Sequence, residues 1–355
     1  MTIKVLIVDD SQFFCKTIGT GLNQLDEIKI VGVAHNGKEA VEKAQKFQPD
    51  VITLDVEMPI MDGLTAISYL QKVCDAHILM LSSLTYENAR VTLDALEAGA
   101  ADFMLKSYEA LSSHSGALIE ILQNKVLELG KDKLSLREQP KKSEKKVLLK
   151  TGKEKFEELK QSFQKLKSKL GLITIGSSTG GPVALQKLLS ALPKNFPVPL
   201  VITQHIPPTF SGVLSSRLNE QSELEIAEAN DGDQIMVGKV YIAPGGKQLY
   251  FEQKNGMTFL RVRDSDSRIQ FAPSVDVTFA SAAKIYGQNL LAIVMTGMGA
   301  DGLKGCQLIN QHGGSIWTQD KSSCVVYGMP KAVDEAGLSD ARLSLEQLTE
   351  LFGAT

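Results

Sequence analysis

The chain has 355 residues, of which 43% are hydrophobic and 22% charged, and its formal net charge at pH 7 is −3. This length favours two domains, and the small negative charge gives no general case for nucleic-acid binding. No apolar run reaches the roughly 18 residues that span a bilayer, and no signal peptide is evident, so we expect a cytoplasmic protein that is not membrane-embedded. The four cysteines are scattered without a CxxC pair, which argues against a disulfide framework or a zinc site.

The first part of the chain alternates short apolar runs with helical patterns. Five strands are predicted, at residues 5–8, 30–34, 51–54, 78–81 and 102–105. Helical stretches lie between them, for example at 38–47 and 89–98. Regular alternation of this kind predicts a five-stranded parallel sheet covered by helices on both faces.

The composition changes near Leu129. Residues 131–170 hold 14 Lys and Arg against 6 Asp and Glu, and Pro140 interrupts the pattern. We expect a solvated linker in which 153–170 forms a charged helix, although a basic segment that docks on an anionic surface fits the same composition. The predicted domains are therefore 1–125 and 171–355, joined by a basic linker at 126–170.

The alternation of strands and helices resumes after Gly171. Strands are predicted at 172–175, 199–203, 240–242 and 290–295, and helices at 183–192 and 302–311. A hairpin is predicted at 248–262, with its turn at Asn255-Gly256. This pattern predicts a second α/β domain, doubly wound around a mostly parallel sheet.

Acidic side chains follow two strands of the first domain. Asp9 and Asp10 end the first strand and Asp55 ends the third, so the three carboxylates should meet at one sheet edge. Such a cluster needs a cation, and Mg²⁺ fits best. Asp55 would then attack phosphorus in line, while Lys106 and Ser82, which end the fifth and fourth strands, would support the phosphoryl group. By itself, the pair Asp9-Asp10 could instead cap a helix, and Lys106 could be an ordinary solvated lysine. The whole set of residues at strand ends is far more specific for a phosphorylation site than any one of them.

These residues resemble the response-regulator receiver domain over residues 1–122. The match comprises Asp9, Asp10, Asp55, Met58-Pro59, Asp62-Gly63, Ser82 and Lys106. The resemblance implies a flavodoxin-like fold and phosphorylation of Asp55 by a histidine kinase. It also implies that Asp10, Asp55 and the backbone carbonyl of Glu57 bind the metal, with Asp9 acting through a water.

A glycine-rich turn, Gly176 to Pro182, follows the strand at 172–175 and precedes a predicted helix. Strand, tight turn and helix together raise Ser178 to the sheet edge, where backbone N–H groups converge. A serine nucleophile needs a base, and His205 follows the next strand at the same edge. A lone histidine there is more often structural, but beside this turn we expect the base. His312 is predicted to cap a helix or face solvent.

The base in turn needs an acid to orient it. Asp301 lies in a second glycine-rich turn, after the strand at 290–295. Its alternative role is to cap the helix that follows. The order serine, histidine, aspartate and the absence of a G-x-S-x-G motif distinguish this chain from the α/β-hydrolases.

Six motifs carry a second resemblance. They are the turn at 176–181, Gln204-His205-Ile206-Pro207-Pro208, Ala243-Pro244-Gly245-Gly246, Pro273-Ser274-Val275-Asp276-Val277, the turn at 296–302 and Tyr327-Gly328-Met329-Pro330. From 172 to 352 the chain resembles the protein-glutamate methylesterases of bacterial chemotaxis, the CheB family. The resemblance implies that Ser178 is the nucleophile, His205 the base and Asp301 the orienting acid, with Thr179 and Met298 as candidates for the oxyanion hole.

The implied substrate is a γ-glutamyl methyl ester on a chemoreceptor, with no cofactor for the esterase. The family resemblance also implies that the unphosphorylated receiver limits access to the esterase and that phosphorylation of Asp55 relieves this limit. Two alternatives stay open: deamidation of receptor glutamine, and a phosphorylation-switched binding module with an inert hydrolase fold. A DNA-binding regulator is disfavoured, because no helix-turn-helix follows the linker.

Four positions depart from the family patterns. Ser107 follows Lys106 where proline is usual, and Ala272 stands where arginine is common. Lys247 stands near an expected histidine, and Lys321 where an acid is common. None is a predicted triad residue, so these departures bear on substrate docking and specificity.

Overall fold

The computed structural model describes residues 2–83, 85–106, 117–138 and 147–353; at 117, 135–138 and 147–155 it describes the backbone alone. Ser107 lies outside the described residues. The chain divides into two compact units, Met1–Pro140 and Lys141–Thr355, and each is treated by itself below.

The first unit contains one five-stranded parallel sheet with its helices, and all five predicted strands are confirmed. The strands are β1 (Ile3–Val8), β2 (Ile28–Ala34), β3 (Val51–Asp55), β4 (His77–Ser82) and β5 (Asp102–Leu105). The helices are α1 (Gln12–Leu22), α2 (Gly37–Phe47), α3 (Gly63–Val73), α4 (Tyr86–Glu97) and α5 (Ala117–Glu138). The strand order is β2-β1-β3-β4-β5, and every pair is parallel.

The central strands explain both the core and the location of the first site. Residues 5–8 of β1 and 51–55 of β3 are all buried, as expected for a sheet covered on both faces. Because β1 lies between β2 and β3, the connections after β1 and β3 leave in opposite directions. The crevice that forms at such a point, outside the carboxyl ends of the strands, is where ligands bind in open α/β sheets.

The long helix α5 continues well past the predicted end of the first domain. Leu122, Val126 and Leu129 are buried, and Lys125 forms an ion pair with Asp102 of β5. Residues 126–138 of the predicted linker are therefore helical, and their buried side chains pack within the first unit. The domain limits themselves stay predictions.

The second unit contains a seven-stranded parallel sheet and a separate hairpin. Its strands are β6 (Leu172–Ser177), β7 (Leu200–Gln204), β8 (Glu225–Glu228), β9 (Lys239–Ile242), β10 (Lys247–Lys254), β11 (Met257–Asp264), β12 (Leu290–Val294), β13 (Ser315–Gln319) and β14 (Ala341–Leu343). Its helices are α6 (Val147–Lys167), α7 (Gly181–Leu189), α8 (Pro208–Glu220), α9 (Val275–Tyr286), α10 (Leu303–Gln311), α11 (Met329–Glu335) and α12 (Leu345–Gly353), with a 3₁₀ turn at Gly287–Asn289. The sheet order is β14-β13-β12-β6-β7-β9-β8.

The hairpin and the four strands predicted in this unit are confirmed. The hairpin turns at Asn255 and Gly256, whose φ angles of 52° and 78° fit the turn expected of this dipeptide. The strands β8, β13 and β14 were missed, because they are short or rich in polar residues. The predicted charged helix at 153–170 corresponds to α6, which buries Phe163 against Trp317 and Phe352.

The three middle strands of this sheet, β12, β6 and β7, are buried along their whole length. Their carboxyl ends share one edge, and the chain leaves β6 toward β7 on one side while β12 lies on the other. This is again a position where ligands bind. Within the described parts of the chain, every helix is too short or too polar to cross a membrane.

Candidate functional site

The acidic residues predicted in the first domain lie together. Asp9, Asp10 and Asp55 each place a carboxylate oxygen within 4.8 Å of the others. Asp9 and Asp55 are buried and Asp10 is exposed, so the cluster has an open side. Three hard oxygen donors with one side open to solvent fit a partly hydrated Mg²⁺ ion.

Lys106 reaches into this cluster from the end of β5. Its Nζ lies 2.7 Å from Asp55 Oδ2 and 2.8 Å from Asp9 Oδ2, and 4.2 Å from the ring centroid of Phe14. Burial by itself would lower the pKa of Lys106, but its hydrogen bonds to the two aspartates outweigh burial and raise it. The lysine is therefore held as a cation beside Asp55.

For the two buried carboxyl groups, burial outweighs the attraction of Lys106. Burial raises the pKa of Asp55 to about 6, against the attraction of Lys106. Burial also raises the pKa of Asp9. One lysine thus leaves the carboxylates short of positive charge, and a divalent cation at the cluster would favour their ionised forms.

The remaining predicted residues lie around the same edge. Ser82 ends β4 and is buried, and its carbonyl oxygen accepts a hydrogen bond of 2.7 Å from the Lys106 backbone N–H. Its hydroxyl accepts a bond of 2.8 Å from Thr92. Glu57 is exposed in the loop after β3. The structure therefore places every described residue of the predicted phosphorylation site at this edge.

In the second unit the predicted base and acid are in direct contact. His205 Nε2 lies 2.7 Å from Asp301 Oδ2. Because the carboxylate engages Nε2 as the proton-bearing nitrogen, Nδ1 is left as the basic one. The ring also stacks on Phe271, with centroids 4.3 Å apart and planes 10° from parallel.

Ser178 is brought beside His205 by strand pairing. Ser177 of β6 pairs with Gln204 of β7, and the backbone N–H of His205 donates to Ser177 O at 3.0 Å. The next residues of the two strands, Ser178 and His205, therefore leave the sheet side by side. Gln204 Nε2 links them further, since it donates to Ser178 O at 2.9 Å and to His205 O at 3.0 Å.

Asp301 is buried in a shell of donors. Oδ2 accepts the Val275 N–H at 2.7 Å, and Oδ1 accepts the Ser274 hydroxyl and the Asp276 N–H, each at 3.0 Å. Burial would raise the pKa of Asp301, but His205 and these N–H groups outweigh burial and lower it. An ionised carboxylate therefore faces His205 at neutral pH.

The turn that carries Ser178 depends on glycine. Gly180 has a φ of 76°, in the left-handed region that favours glycine. A methyl group at Gly297, on the turn after β12, would lie 2.9 Å from Ser178 Cβ. Gly297 therefore approaches the serine closely. Its neighbour Met298 is half-buried, and Thr179, which follows the serine, is buried.

Three residues that shape this site had no role in the sequence-based prediction. They are Gln204, which links Ser178 to His205; Ser274, which donates to Asp301; and Phe271, which stacks on His205. Gln204 and Ser274 belong to two of the motifs quoted in the sequence analysis, and that position was the one sequence feature that could have indicated a role for them. Nothing in the sequence indicated Phe271, because its role depends on a contact between distant segments.

His312 is excluded from the site. It follows α10, is exposed, and its Nδ1 lies 2.8 Å from the carbonyl oxygen of Leu308. The prediction that this histidine lies at a helix end is confirmed.

Each of the two units matches a known protein family. Residues 173–352 match the family model described as CheB methylesterase, and residues 5–113 match the response regulator receiver domain. A protein of Aliivibrio fischeri named protein-glutamate methylesterase/protein-glutamine glutaminase is 42% identical, covering 99% of this chain and 98% of its own. The chain belongs to this methylesterase/glutaminase family.

Other members are similarly close. A Vibrio cholerae protein with the same name, numbered 1, is 43% identical over 99% of this chain and 98% of its own. Among solved structures, the catalytic domain of Thermotoga maritima CheB methylesterase is 44% identical, covering 51% of this chain and 98% of that one with a TM-score of 0.49.

The positions that depart from the family pattern take no part in the contacts described for His205 and Asp301. Ala272 precedes Pro273 through a cis peptide bond, next to Phe271 and Ser274. Lys247 forms an ion pair with Asp264 across the hairpin. Lys321 is exposed. The carboxylate and imidazole contacts described above involve none of the three.

Proposed function

We propose that this protein hydrolyses γ-glutamyl methyl esters on chemoreceptors, with Ser178 as nucleophile, His205 as base and Asp301 as the acid that orients the imidazole. The observation that carries this proposal is the 2.7 Å contact from His205 to a buried carboxylate, one strand away from the serine turn. It supplies an oriented base next to a hydroxyl at a sheet edge.

The chemistry runs in two steps. Ser178 Oγ attacks the ester carbonyl while His205 Nδ1 takes the hydroxyl proton. The proton then passes to the departing methoxide, so that methanol leaves and an acyl-enzyme forms. A water, deprotonated by the same nitrogen, attacks the acyl carbon and releases the glutamate side chain and the free serine. The N–H groups of Thr179 and Met298 are the proposed donors to the oxyanion in both steps.

The same steps serve a second substrate. The relatives are named protein-glutamine glutaminase as well as methylesterase. A receptor glutamine would form the same acyl-enzyme, with the proton delivered to the leaving ammonia. We therefore propose deamidation as a companion activity of the same triad.

We further propose that phosphorylation of Asp55 by a histidine kinase activates the esterase. Asp10, Asp55 and the carbonyl of Glu57 would hold Mg²⁺, with Asp9 acting through a water, and the ion would neutralise charge on the phosphoryl group. Lys106 supplies the second positive charge at Asp55, and Ser82 is the proposed hydrogen-bond donor to the phosphoryl oxygens. All four cysteines are free thiols, in keeping with the proposed cytoplasmic location.

Methanol release from membranes carrying methylated receptor tests the proposal. Wild type, Ser178→Ala and Asp55→Asn are compared with and without a small-molecule phosphodonor and Mg²⁺. Release should need Ser178, with a loss of about 10⁴-fold or more in Ser178→Ala, and should rise with the phosphodonor only when Asp55 is present. Release that survives in Ser178→Ala would refute the proposed nucleophile.

A glutamine-bearing receptor assayed in parallel for ammonia tests the companion activity. Ser178-dependent ammonia release would support deamidation. No release of methanol or ammonia from either receptor, by a protein that folds normally, would favour an inert binding module.

A further inference from the structure

Thr296 is the residue of the second unit that ties the nucleophile turn to the rest of the site. It follows β12 and is buried. All of its polar atoms have partners. Its backbone N–H donates to Gln319 Oε1 at 2.8 Å, and its carbonyl oxygen accepts the Ser178 N–H at 3.0 Å.

The hydroxyl of Thr296 is saturated as well. It donates to Thr179 O at 2.9 Å, with Val326 O as a second and longer acceptor at 3.3 Å, and it accepts the backbone N–H groups of Val325 and Val326 at 3.0 and 3.1 Å. A hydroxyl offers one proton and two lone pairs, so these contacts use its whole capacity. One side chain thereby joins the serine turn to the segment at 325–326.

These bonds bracket one peptide unit. Thr296 O accepts the N–H of Ser178, and Thr296 Oγ1 donates to the carbonyl oxygen of Thr179. The peptide between Ser178 and Thr179 carries the N–H proposed to donate to the oxyanion, and it is fixed from both ends.

The second proposed donor is held through the same segment. The Gly297 N–H donates to Val326 O at 3.0 Å, and Gly297 O accepts the Met329 N–H at 2.9 Å. The backbone immediately before Met298 is therefore hydrogen-bonded to the segment at 325–329. Thr296 Oγ1 holds that segment through Val325 and Val326.

We propose that Thr296 is a positioning residue for catalysis, which fixes the backbone N–H groups of Thr179 and Met298 as one rigid oxyanion site. This inference rests on the proposed function. Donors to an oxyanion act by being placed in advance, and a displacement of about 1 Å costs on the order of 100-fold in rate. Loss of the Thr296 hydroxyl would therefore lower the rate of the chemical step and leave substrate binding largely unchanged.

The test compares three single variants of the full chain. Thr296→Val keeps the shape of the side chain and removes its hydroxyl, whereas Thr296→Ser keeps the hydroxyl. Thr203→Val is the matched control, because Thr203 is buried in β7 of the same sheet and its hydroxyl has no partner among the described residues. Folding of each is checked by thermal melting.

Two rates are measured: methanol release against receptor concentration, which gives kcat and KM, and labelling of Ser178 by a fluorophosphonate. We expect kcat and the labelling rate to fall by about 10-fold to 100-fold in Thr296→Val, with KM within about twofold. Thr296→Ser and Thr203→Val should stay within about threefold of wild type.

Several outcomes would overturn the inference. They are a folded Thr296→Val with wild-type kcat and labelling, a change confined to KM, and an equal loss in Thr296→Ser or Thr203→Val. If Thr296→Val does not fold, Thr296→Cys replaces it with the same expectations, since a thiol is a weak hydrogen-bonding group. A wild type that is labelled but releases no methanol would refute the proposed substrate alone, and the labelling rates would still decide on Thr296.

Discussion

Replacement of Asp301 by asparagine removes the carboxylate charge beside His205 and disturbs a shell of donors. The carboxylate accepts five hydrogen bonds of 2.7–3.1 Å, from His205, Val275, Ser274, Asp276 and the N–H of Gly302. An amide has one oxygen and one NH₂ group. In either orientation of the asparagine side chain, its NH₂ group takes the place of a carboxylate oxygen that accepts from at least two of these donors.

The cost follows from these contacts. Each buried donor left without an acceptor costs about 1–3 kcal/mol, so the loss of two acceptors in Asp301→Asn should cost roughly 2–6 kcal/mol. At about 2–4 °C per kcal/mol for a unit of this size, the thermal midpoint of the second unit should fall by roughly 4–24 °C. If NH₂ faces His205 Nε2, the imidazole must carry its proton on Nδ1 and can no longer deprotonate Ser178. An effect on kcat of about 10⁴-fold is known for such a tautomer change.

Calorimetry and methanol release from methylated receptor membranes measure these two effects, and Asp276→Asn is the matched control. Asp276 Oδ1 accepts the N–H groups of Gly302 and Gly305 at 2.9 and 2.8 Å, which an asparagine oxygen accepts equally well. Burial raises the pKa of Asp276, so the loss of its charge should cost little. A loss of activity below about tenfold in Asp301→Asn, or equal losses in the two variants, would refute the orienting role of Asp301.

Three further predictions concern stability. Because burial raises the pKa of Asp55 from 3.8 to about 6, the folded state holds a proton that the unfolded state has lost, and stability in EDTA should fall as the pH rises from about 4 to 6. Asp55→Asn should reduce this slope in urea titrations, with Asp9 contributing the remainder, and be more stable at pH 7 by roughly 1–3 kcal/mol; an unchanged slope would contradict the assignment. Mg²⁺ at about ten times its Kd should stabilise the first unit by about 1.4 kcal/mol, and an equal gain in Asp10→Asn would exclude Asp10 as a ligand. Phe163→Ala should cost about 3–5 kcal/mol in the second unit, measured by calorimetry; no shift would show that α6 contributes nothing there.

Much of the fold was readable from the sequence. The five strands of the first unit and the four predicted in the second contain runs of three to six mostly apolar residues. All of these strands except β2 are largely buried, and such runs predict strands of parallel sheets. The short strands β8 and β14 escaped because they are confined to the sheet margin, where alternating or polar residues suffice. The helical part of the predicted linker, in α5, was not predicted because its buried residues are spaced among many charged ones.

The site was predictable as far as strand ends determine it. Asp9, Asp55, Lys106, Ser178, His205 and Asp301 all follow strands, and in a parallel sheet the carboxyl ends of strands share one edge. The chemistry of each residue type then limits what the group can do. The sequence thus predicted the sheet edge at which each residue lies, but it predicted none of the distances between them.

Tertiary structure alone decided how those residues are held. The sheet order puts β6 between β12 and β7, which brings three segments more than 25 residues apart in the chain into contact at Ser178, His205 and Asp301. The stacking of Phe271 on His205 and the bonds of Thr296 to Thr179 and to Val325 join segments that local patterns do not relate. Local periodicity reports which face of an element is buried, whereas the pairing of distant segments depends on the packing of the whole core. The sequence by itself therefore determined which groups are available for chemistry, and the fold determined which nitrogen of the imidazole contacts the carboxylate and which hydrogen bonds hold the serine turn.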